Sequence, residues 1–106
     1  MFVQPYRCEN VLIEGVTVVN SPMYELHPVL CRNVTVRNVD FSGTGGGYGI
    51  VYGGTNGTFE NVTVNRRQVG IQALGIGSSV RNSRLTNCSE QNLRIGPGAA
   101  VVMNNV

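Results

Sequence analysis

The sequence has no lysine, no tryptophan and only one aspartate, Asp40, and these absences narrow the functions that it can have. All eight basic residues are arginines scattered along the chain, and the formal net charge is only +2. Nucleic-acid-binding surfaces need a concentrated positive charge, so no nucleic-acid partner is predicted. With a single aspartate, any mechanism that requires an aspartate pair is excluded.

The sequence also lacks the residue patterns that are usual in metal-binding and membrane-spanning proteins. His27 is the only histidine, and the three cysteines, Cys8, Cys31 and Cys88, do not have the spacing of a zinc site. No metal or other cofactor is therefore expected. No apolar run approaches the roughly 18 residues of a membrane span, and residues 1–10 lack the charged and apolar regions of a secretory leader. The sequence thus predicts no membrane partner and indicates no cellular location.

Valine, asparagine and glycine, by contrast, are abundant. β-branched residues favour strands, and asparagine and glycine favour the turns between them. A chain of 106 residues is too short for two separate cores, so we expect a single all-β domain over residues 1–106.

A repeat of about 22 residues runs along the chain. Ile13, Val36, Phe59 and Val80 occupy one position in successive units, with steps of 23, 23 and 21 residues, and Val102 follows after 22 more. Three further apolar positions repeat in the same way: Val18, Phe41, Val64 and Leu85; Val16, Val39, Val62 and Ser83; Leu26, Ile50, Ile71 and Leu93. A bend containing Asn or Gly recurs after the first position, and both residues tolerate a left-handed backbone.

These units predict stacked coils. Each unit holds three short strands with alternating apolar residues, which cannot bury their apolar side unless a neighbouring unit covers it. The sequence therefore predicts a right-handed parallel β-helix of about four to five coils, with three short strands per coil. In such a stack Cys8 and Cys31 would lie one above the other, near enough for a disulfide, although free thiols are the expected state.

Residues 8–39, CENVLIEGVTVVNSPMYELHPVLCRNVTVRNV, resemble the family 28 glycoside hydrolases, the polygalacturonases and their relatives in the pectin lyase-like superfamily. The residues that carry the resemblance are Asn20-Ser21-Pro22, Tyr24, His27-Pro28 and Cys31-Arg32-Asn33-Val34. The close resemblance covers about residues 5 to 40. It implies a right-handed parallel β-helix and, for the family, hydrolysis of pectin with inversion.

The catalytic residues of that family are absent from the corresponding positions. Inverting hydrolysis needs two carboxyl groups, one as acid and one as base. The resemblance places the three catalytic motifs at Gly46-Gly47-Tyr48, at Gln68-Val69 and at Glu90-Gln91-Asn92, without the aspartates or the histidine of the family. The chain is therefore predicted not to be an enzyme of this kind.

Three hypotheses about function follow. The first is a non-catalytic β-helix scaffold, designed, minimised or cut from a polygalacturonase-like parent. Such a scaffold is expected to self-associate through coil ends or an outer sheet face, because VVMNNV ends within a coil and no cap is recognisable. The second is a module that binds an acidic polysaccharide such as polygalacturonate. The third is a residual glycoside hydrolase that uses Glu25 and His27 as acid and base. The binding candidates of the second hypothesis share one outer face: Tyr24, His27, Tyr48, Gln72 and Arg94.

Arg66 and Arg67 fall at a bend between strands. Both are expected to lie at a solvated corner without a ligand.

Overall fold

The computed structural model describes residues 4–19, 24–42, 47–96 and 101–103, which form eleven β-strands and no helix. In chain order the strands are β1 (Glu9–Glu14), β2 (Thr17–Val19), β3 (Tyr24–Leu26), β4 (Arg32–Ser42), β5 (Tyr48–Tyr52), β6 (Thr58–Asn65), β7 (Val69–Ala73), β8 (Ser79–Arg81), β9 (Arg84–Thr86), β10 (Gln91–Ile95) and β11 (Val101–Met103). In this part of the chain no helix is long and apolar enough to cross a bilayer.

The strands stack into two parallel sheets. One sheet has seven strands; its main path runs β1-β4-β6-β8-β11, with β2 paired to β4 and β9 paired to β6. The other has four strands in the order β3-β5-β7-β10. Each strand therefore pairs with the strand one repeat away in sequence, so that the chain returns beside its own previous turn. The protein is a parallel β-solenoid, and the predicted fold class is confirmed.

Three of the four repeated positions form continuous columns along the inside of the solenoid; in the remaining one Val39 pairs with Val62, but Val16 is 36% exposed. Ile13 pairs with Val36, Val36 with Phe59, Phe59 with Val80, and Val80 with Val102. The second and fourth predicted columns are paired in the same way along their whole length. In the middle coils these side chains are fully buried; Val36 and Phe59 are each 0% exposed. The predicted register is thus confirmed.

The number of coils and the division into strands differ slightly from the prediction. The four-stranded sheet contains three complete turns between its first and last strands, fewer than the four to five coils expected. Residues 9–26 and 79–95 each contain three separate strands, as predicted for a coil, whereas residues 32–52 and 58–73 each contain two. β4 and β6 each continue past a bend, at Asn38 and Asn61; these two residues are not paired, and the register is the same on both sides of them.

Asparagines at the bends adopt left-handed backbone conformations and bond to one another across coils. Asn33 and Asn56 have φ angles of 55° and 54°. The Asn33 Nδ2 group donates to the Asn10 side-chain oxygen at 3.0 Å, and the Asn56 Nδ2 group donates to that of Asn33 at 3.1 Å. We call this row of three the asparagine ladder. It ties three successive coils together at an exposed corner of the solenoid.

At the corner formed by Arg66 and Arg67, one arginine is exposed to solvent and the other is buried. Arg66 is exposed, as expected, but Arg67 is only 2% exposed, so the predicted solvated position of Arg67 is wrong. Arg66 has a φ angle of 61°, and the bend it makes turns the next residue into the solenoid wall. One guanidinium nitrogen of Arg67, Nη1, donates to the carbonyl oxygen of Arg66 at 3.2 Å.

Candidate functional site

The three positions at which the resemblance places the catalytic motifs lie side by side in the structure. Tyr48 pairs with Val69, and Val69 pairs with Gln91, at the start of strands β5, β7 and β10. The preceding residues continue the stack, since the Gln68 amide donates to the Gly47 carbonyl oxygen at 2.6 Å. The register expected from the repeat is therefore correct for this edge of the four-stranded sheet.

The chemistry at this edge is not that of two carboxyl groups. Glu90 is the only acidic residue at the three stacked positions, and its carboxylate lies 3.5 Å from the Arg94 guanidinium. Asp40 lies on the other sheet, exposed in β4 and paired in register with Thr17 and Thr63, as predicted. Among the side chains that the structure describes, the stacked edge therefore holds one carboxylate, that of Glu90, which is already beside a cation.

Arg94 is the centre of a polar cluster on the outer face of the four-stranded sheet. Its Nη1 atom lies 2.9 Å from the side-chain oxygen of Gln72 and 3.4 Å from the Tyr48 hydroxyl, and the guanidinium carbon lies 5.9 Å from the centre of the Tyr48 ring. Its Nε atom donates to the side-chain oxygen of Gln91. We call these four residues, with Glu90, the Arg94 cluster. These contacts, together with the Glu90 carboxylate beside Nη2, hold the guanidinium of Arg94 in a fixed direction.

Of the five predicted binding residues, the structure brings together Tyr48, Gln72 and Arg94. His27 continues the same outward row through Val51, one residue beyond the paired Leu26 and Ile50. It is nevertheless three strands from Arg94, or about 14 Å at ~4.8 Å per strand, so the two cannot hold one small ligand group.

His27 instead lines a shallow depression of about 290 Å³ near Leu30 and the Gly53-Gly54 pair. Partial burial lowers the pKa of His27 from its ordinary value of 6.5, so its imidazole is neutral at pH 7. The backbone of Tyr24 pairs with that of Tyr48, while the side chains of Tyr24 and Glu25 lie outside the described part of the structure.

A cleft at the corner beside the Arg94 cluster was not expected from the sequence. It has a volume of about 470 Å³. Its walls carry both arginines of the bend and four further residues with polar side chains, and we call it the corner cleft: Gly47, Arg66, Arg67, Gln68, Asn87, Ser89 and Glu90. The sequence signal for it was the Arg66-Arg67 pair at a bend where the other coils have small or neutral residues. Glu90 belongs to both the cleft and the Arg94 cluster, so the two lie next to each other.

The three cysteines are free thiols, and Cys8 and Cys31 lie one above the other as expected. The Cys8 amide donates to the sulfur of Cys31 at 3.4 Å, and the Cys31 thiol donates to the Val29 carbonyl oxygen at 3.2 Å. Among the residues that the structure describes, no group of three or more His, Cys, Asp or Glu side chains is placed to hold a metal ion.

Comparisons with family models, with curated proteins and with solved structures find no match for this chain. What is established is the class, a parallel β-solenoid. The resemblance of residues 8–39 to the family 28 glycoside hydrolases stays a prediction.

Proposed function

We propose that the chain is a non-catalytic β-helix scaffold that keeps the coil architecture of a pectin-degrading enzyme without its chemistry. The observation that carries the proposal is the composition of the stacked edge. Tyr48, Val69 and Gln91 stand there in register, and the adjacent Glu90 carboxylate is beside Arg94. Inverting hydrolysis needs one carboxyl group as acid and a second as base, and these positions supply one.

A reducing-end assay on polygalacturonate tests this proposal. Folded protein is expected to release no more reducing ends than buffer alone, over an incubation long enough to detect a residual hydrolase. Turnover that disappears in Glu25→Gln or in Glu90→Gln would overturn the proposal, since it would identify a working acid or base. Asp40→Asn, on the other sheet, is the matched control for loss of a carboxylate elsewhere.

A second candidate function is the binding of an acidic oligosaccharide along the outer face of the four-stranded sheet. The contacts of Arg94 with Gln72 and Tyr48 favour it, because they hold a guanidinium and an aromatic ring next to each other on an open surface. Arginine with aromatic side chains is a suitable combination for carboxylated sugar rings.

Calorimetry with oligogalacturonides tests the second candidate. Binding is expected to weaken about tenfold in Arg94→Gln, which removes one charge-assisted contact. Arg84→Gln is the control, because Arg84 is exposed on β9 of the seven-stranded sheet. Absence of heat at millimolar ligand would eliminate this function and leave the scaffold proposal untouched.

A further inference from the structure

We propose that Cys8 and Cys31 form a site of oxidative modification. A small-molecule disulfide converts the two thiols into a bond that fastens the coil of β1 to the coil of β4, and a dithiol releases it. Neither the scaffold function nor carbohydrate binding uses these two residues, so the site is independent of both.

The backbone places the two cysteines directly opposite each other in neighbouring coils. Tyr6 pairs with Val29 two residues before them, and β1 and β4 begin to pair one residue after them, with the same step of 23 residues. Neighbouring parallel strands lie about 4.8 Å apart, which is within the Cα separations of about 4.4 to 6.8 Å that disulfides span. The bond therefore requires rotation of the two side chains and no change of register.

Weak contacts, which a covalent bond can replace, hold the two thiols. The sulfur of Cys31 accepts from the Cys8 amide at 3.4 Å, and its thiol donates to the Val29 carbonyl oxygen at 3.2 Å. The Cys8 thiol donates to the Tyr6 carbonyl oxygen at 3.3 Å. Because a thiol is a weak donor, little hydrogen-bond energy is lost when the two protons leave. The amide contact already places the sulfur of Cys31 against the residue with which it reacts.

The unequal exposure of the two thiols sets the order of the reaction. Cys8 is half-buried, whereas Cys31 is 2% exposed. Cys8 attacks first, as a thiolate, at one sulfur of the small disulfide; one small thiolate leaves and a mixed disulfide forms on Cys8. Cys31, as a thiolate, then attacks the Cys8 sulfur and expels the second small thiolate. The two released thiolates take up the two protons that the cysteines lose, so one disulfide is exchanged for another.

Cys88 is a cysteine without such a partner. It is also half-buried, but it follows β9, and β6 lies between β9 and β4. Two strand spacings, about 10 Å, exceed the Cα separation that a disulfide can bridge. The folded chain therefore allows one intramolecular bond, between Cys8 and Cys31.

The bond acts at an end of the seven-stranded sheet. Among the described strands, β1 pairs with β4 alone. A strand with one neighbour opens locally more easily than a strand that is held on both sides. A covalent link between residues 8 and 31 removes the open conformations in which these two coils separate. Local opening of this end thus depends on the oxidation state of the two thiols.

Treatment of the folded protein with oxidised glutathione, followed by acid quenching and peptide mapping by mass, tests the site. The expected product contains a bond between Cys8 and Cys31, is lighter by two hydrogens, and regains both thiols with dithiothreitol. Cys88→Ser is the matched control and should still form the bond. Glutathione adducts on Cys8 and Cys31 without a bond, a bond to Cys88, or no reaction at Cys8 would each overturn the proposal.

Two further variants test the order of attack. Cys31→Ser is expected to stop at the mixed disulfide on Cys8, because the second thiol is missing. Cys8→Ser is expected to leave Cys31 unreacted, because Cys31 is buried. Reaction of Cys31 in Cys8→Ser at the rate of Cys8 in Cys31→Ser would contradict this order.

Hydrogen exchange measures whether the bond fastens the two coils together. The amides of Arg7 and Arg32 donate from one of these coils to the other, at 2.9 and 3.0 Å. Oxidation is expected to slow their exchange by about tenfold or more, and that of the distant Ser89 amide by less than about twofold. No slowing at Arg7 and Arg32, or equal slowing of all three amides, would overturn the fastening of this end by the bond.

Discussion

Two properties of asparagine suit it to the bends of this solenoid. It tolerates the left-handed backbone better than other side chains except glycine, and its amide both donates and accepts. Asn33 does both, since it donates to Asn10 and accepts from Asn56. The sequence predicted the first property from the recurrence of Asn and Gly. It could not show the second, because a side-chain ladder depends on rotamers that a repeat does not encode.

Two variants of Asn33 separate these contributions. Asn33→Gly keeps the left-handed backbone and removes both ladder bonds, so we expect the free energy of unfolding to fall by about 1 kcal/mol. Asn33→Ala also places a Cβ at a φ of 55°, and should cost about 1 kcal/mol more. Urea denaturation measures both. Equal stability of Asn33→Gly and the unmodified protein would show that the ladder bonds contribute nothing.

Tyr52 is a buried residue whose side-chain polar group, like that of Asn33, forms hydrogen bonds. Its hydroxyl lies 2.6 Å from the Thr55 carbonyl oxygen and 3.1 Å from that of Cys31, and the residue is 0% exposed. Its ring packs where Gly57 has no side chain; a Cβ at Gly57 would lie 2.6 Å from the ring. Burial, and to a smaller extent the neighbouring Cys31, raises the pKa of Tyr52 above its ordinary value of 10.0.

The Tyr52→Phe variant should be less stable by about 1 to 2 kcal/mol at neutral pH, because buried carbonyl groups lose a donor. The pH dependence has a definite sign. The unfolded phenol ionises near pH 10.0, before the folded one, so the Tyr52 contribution is complete below that pH and is lost as pH rises through the folded pKa. Denaturation measured between pH 9 and 12 should therefore show that the free energy of unfolding falls more steeply with pH in the unmodified protein than in Tyr52→Phe, from roughly the unfolded pKa upward. Parallel curves would contradict the assignment.

At the level of strands, the seven-stranded sheet carries a column of alternating charges on its outer face. Glu14 pairs in register with Arg37, Arg37 with Glu60, and Glu60 with Arg81. Glu14 and Arg37 form an ion pair, as do Glu60 and Arg81. If every coil had the same charge at this position, in-register stacking would place like charges directly opposite one another. The alternation of sign avoids this repulsion. The column thus helps to select the register that the apolar residues also require.

Reversing one charge should expose that role. Arg37→Glu places three glutamates in a row, and we expect the free energy of unfolding to fall by about 1 kcal/mol at low salt, with the loss reduced at high salt. Arg84→Glu is the matched control, because Arg84 pairs with the uncharged Thr63 on the same sheet. The interpretation fails if both variants lose the same stability, or if salt has no effect on Arg37→Glu.

Particular strands also show where sequence reasoning was sufficient. The columns through Phe59 and Ile71 were predictable, because a stack of parallel coils allows only one register for a fixed repeat length. The burial of Arg67 and the corner cleft were not. Both depend on how the bend at Arg66 directs the next side chain, and the two arginines look alike in the sequence. Likewise, the repeat placed Gln72 and Arg94 in one row but could not predict the contacts of Arg94 with Gln72 and Tyr48.

At the level of the whole molecule, the open sheet edges favour self-association. Among the described strands, β1 and β11 end the main path of the seven-stranded sheet, and β3 and β10 end the four-stranded one. Each has one side without a strand partner in that part of the chain, and such edges can pair with another strand. Self-association stays a prediction on these grounds.

Sedimentation at several protein concentrations measures self-association. The average mass is expected to rise with concentration, because edge pairing between copies is an intermolecular equilibrium. A constant monomer mass over a hundredfold range of concentration would contradict the prediction. It would leave the fold unaffected.

Every proposal above depends on coils that stack in register, and the Phe59 ring offers the most direct test of that stacking. It is 0% exposed and lies between Val36 of the preceding coil and Val80 of the following one. Nuclear Overhauser measurements are expected to show strong contacts from the Phe59 ring to the methyl groups of both valines. Contacts from the ring to only one of the two valines, or to neither, would contradict the parallel stack on which the account rests.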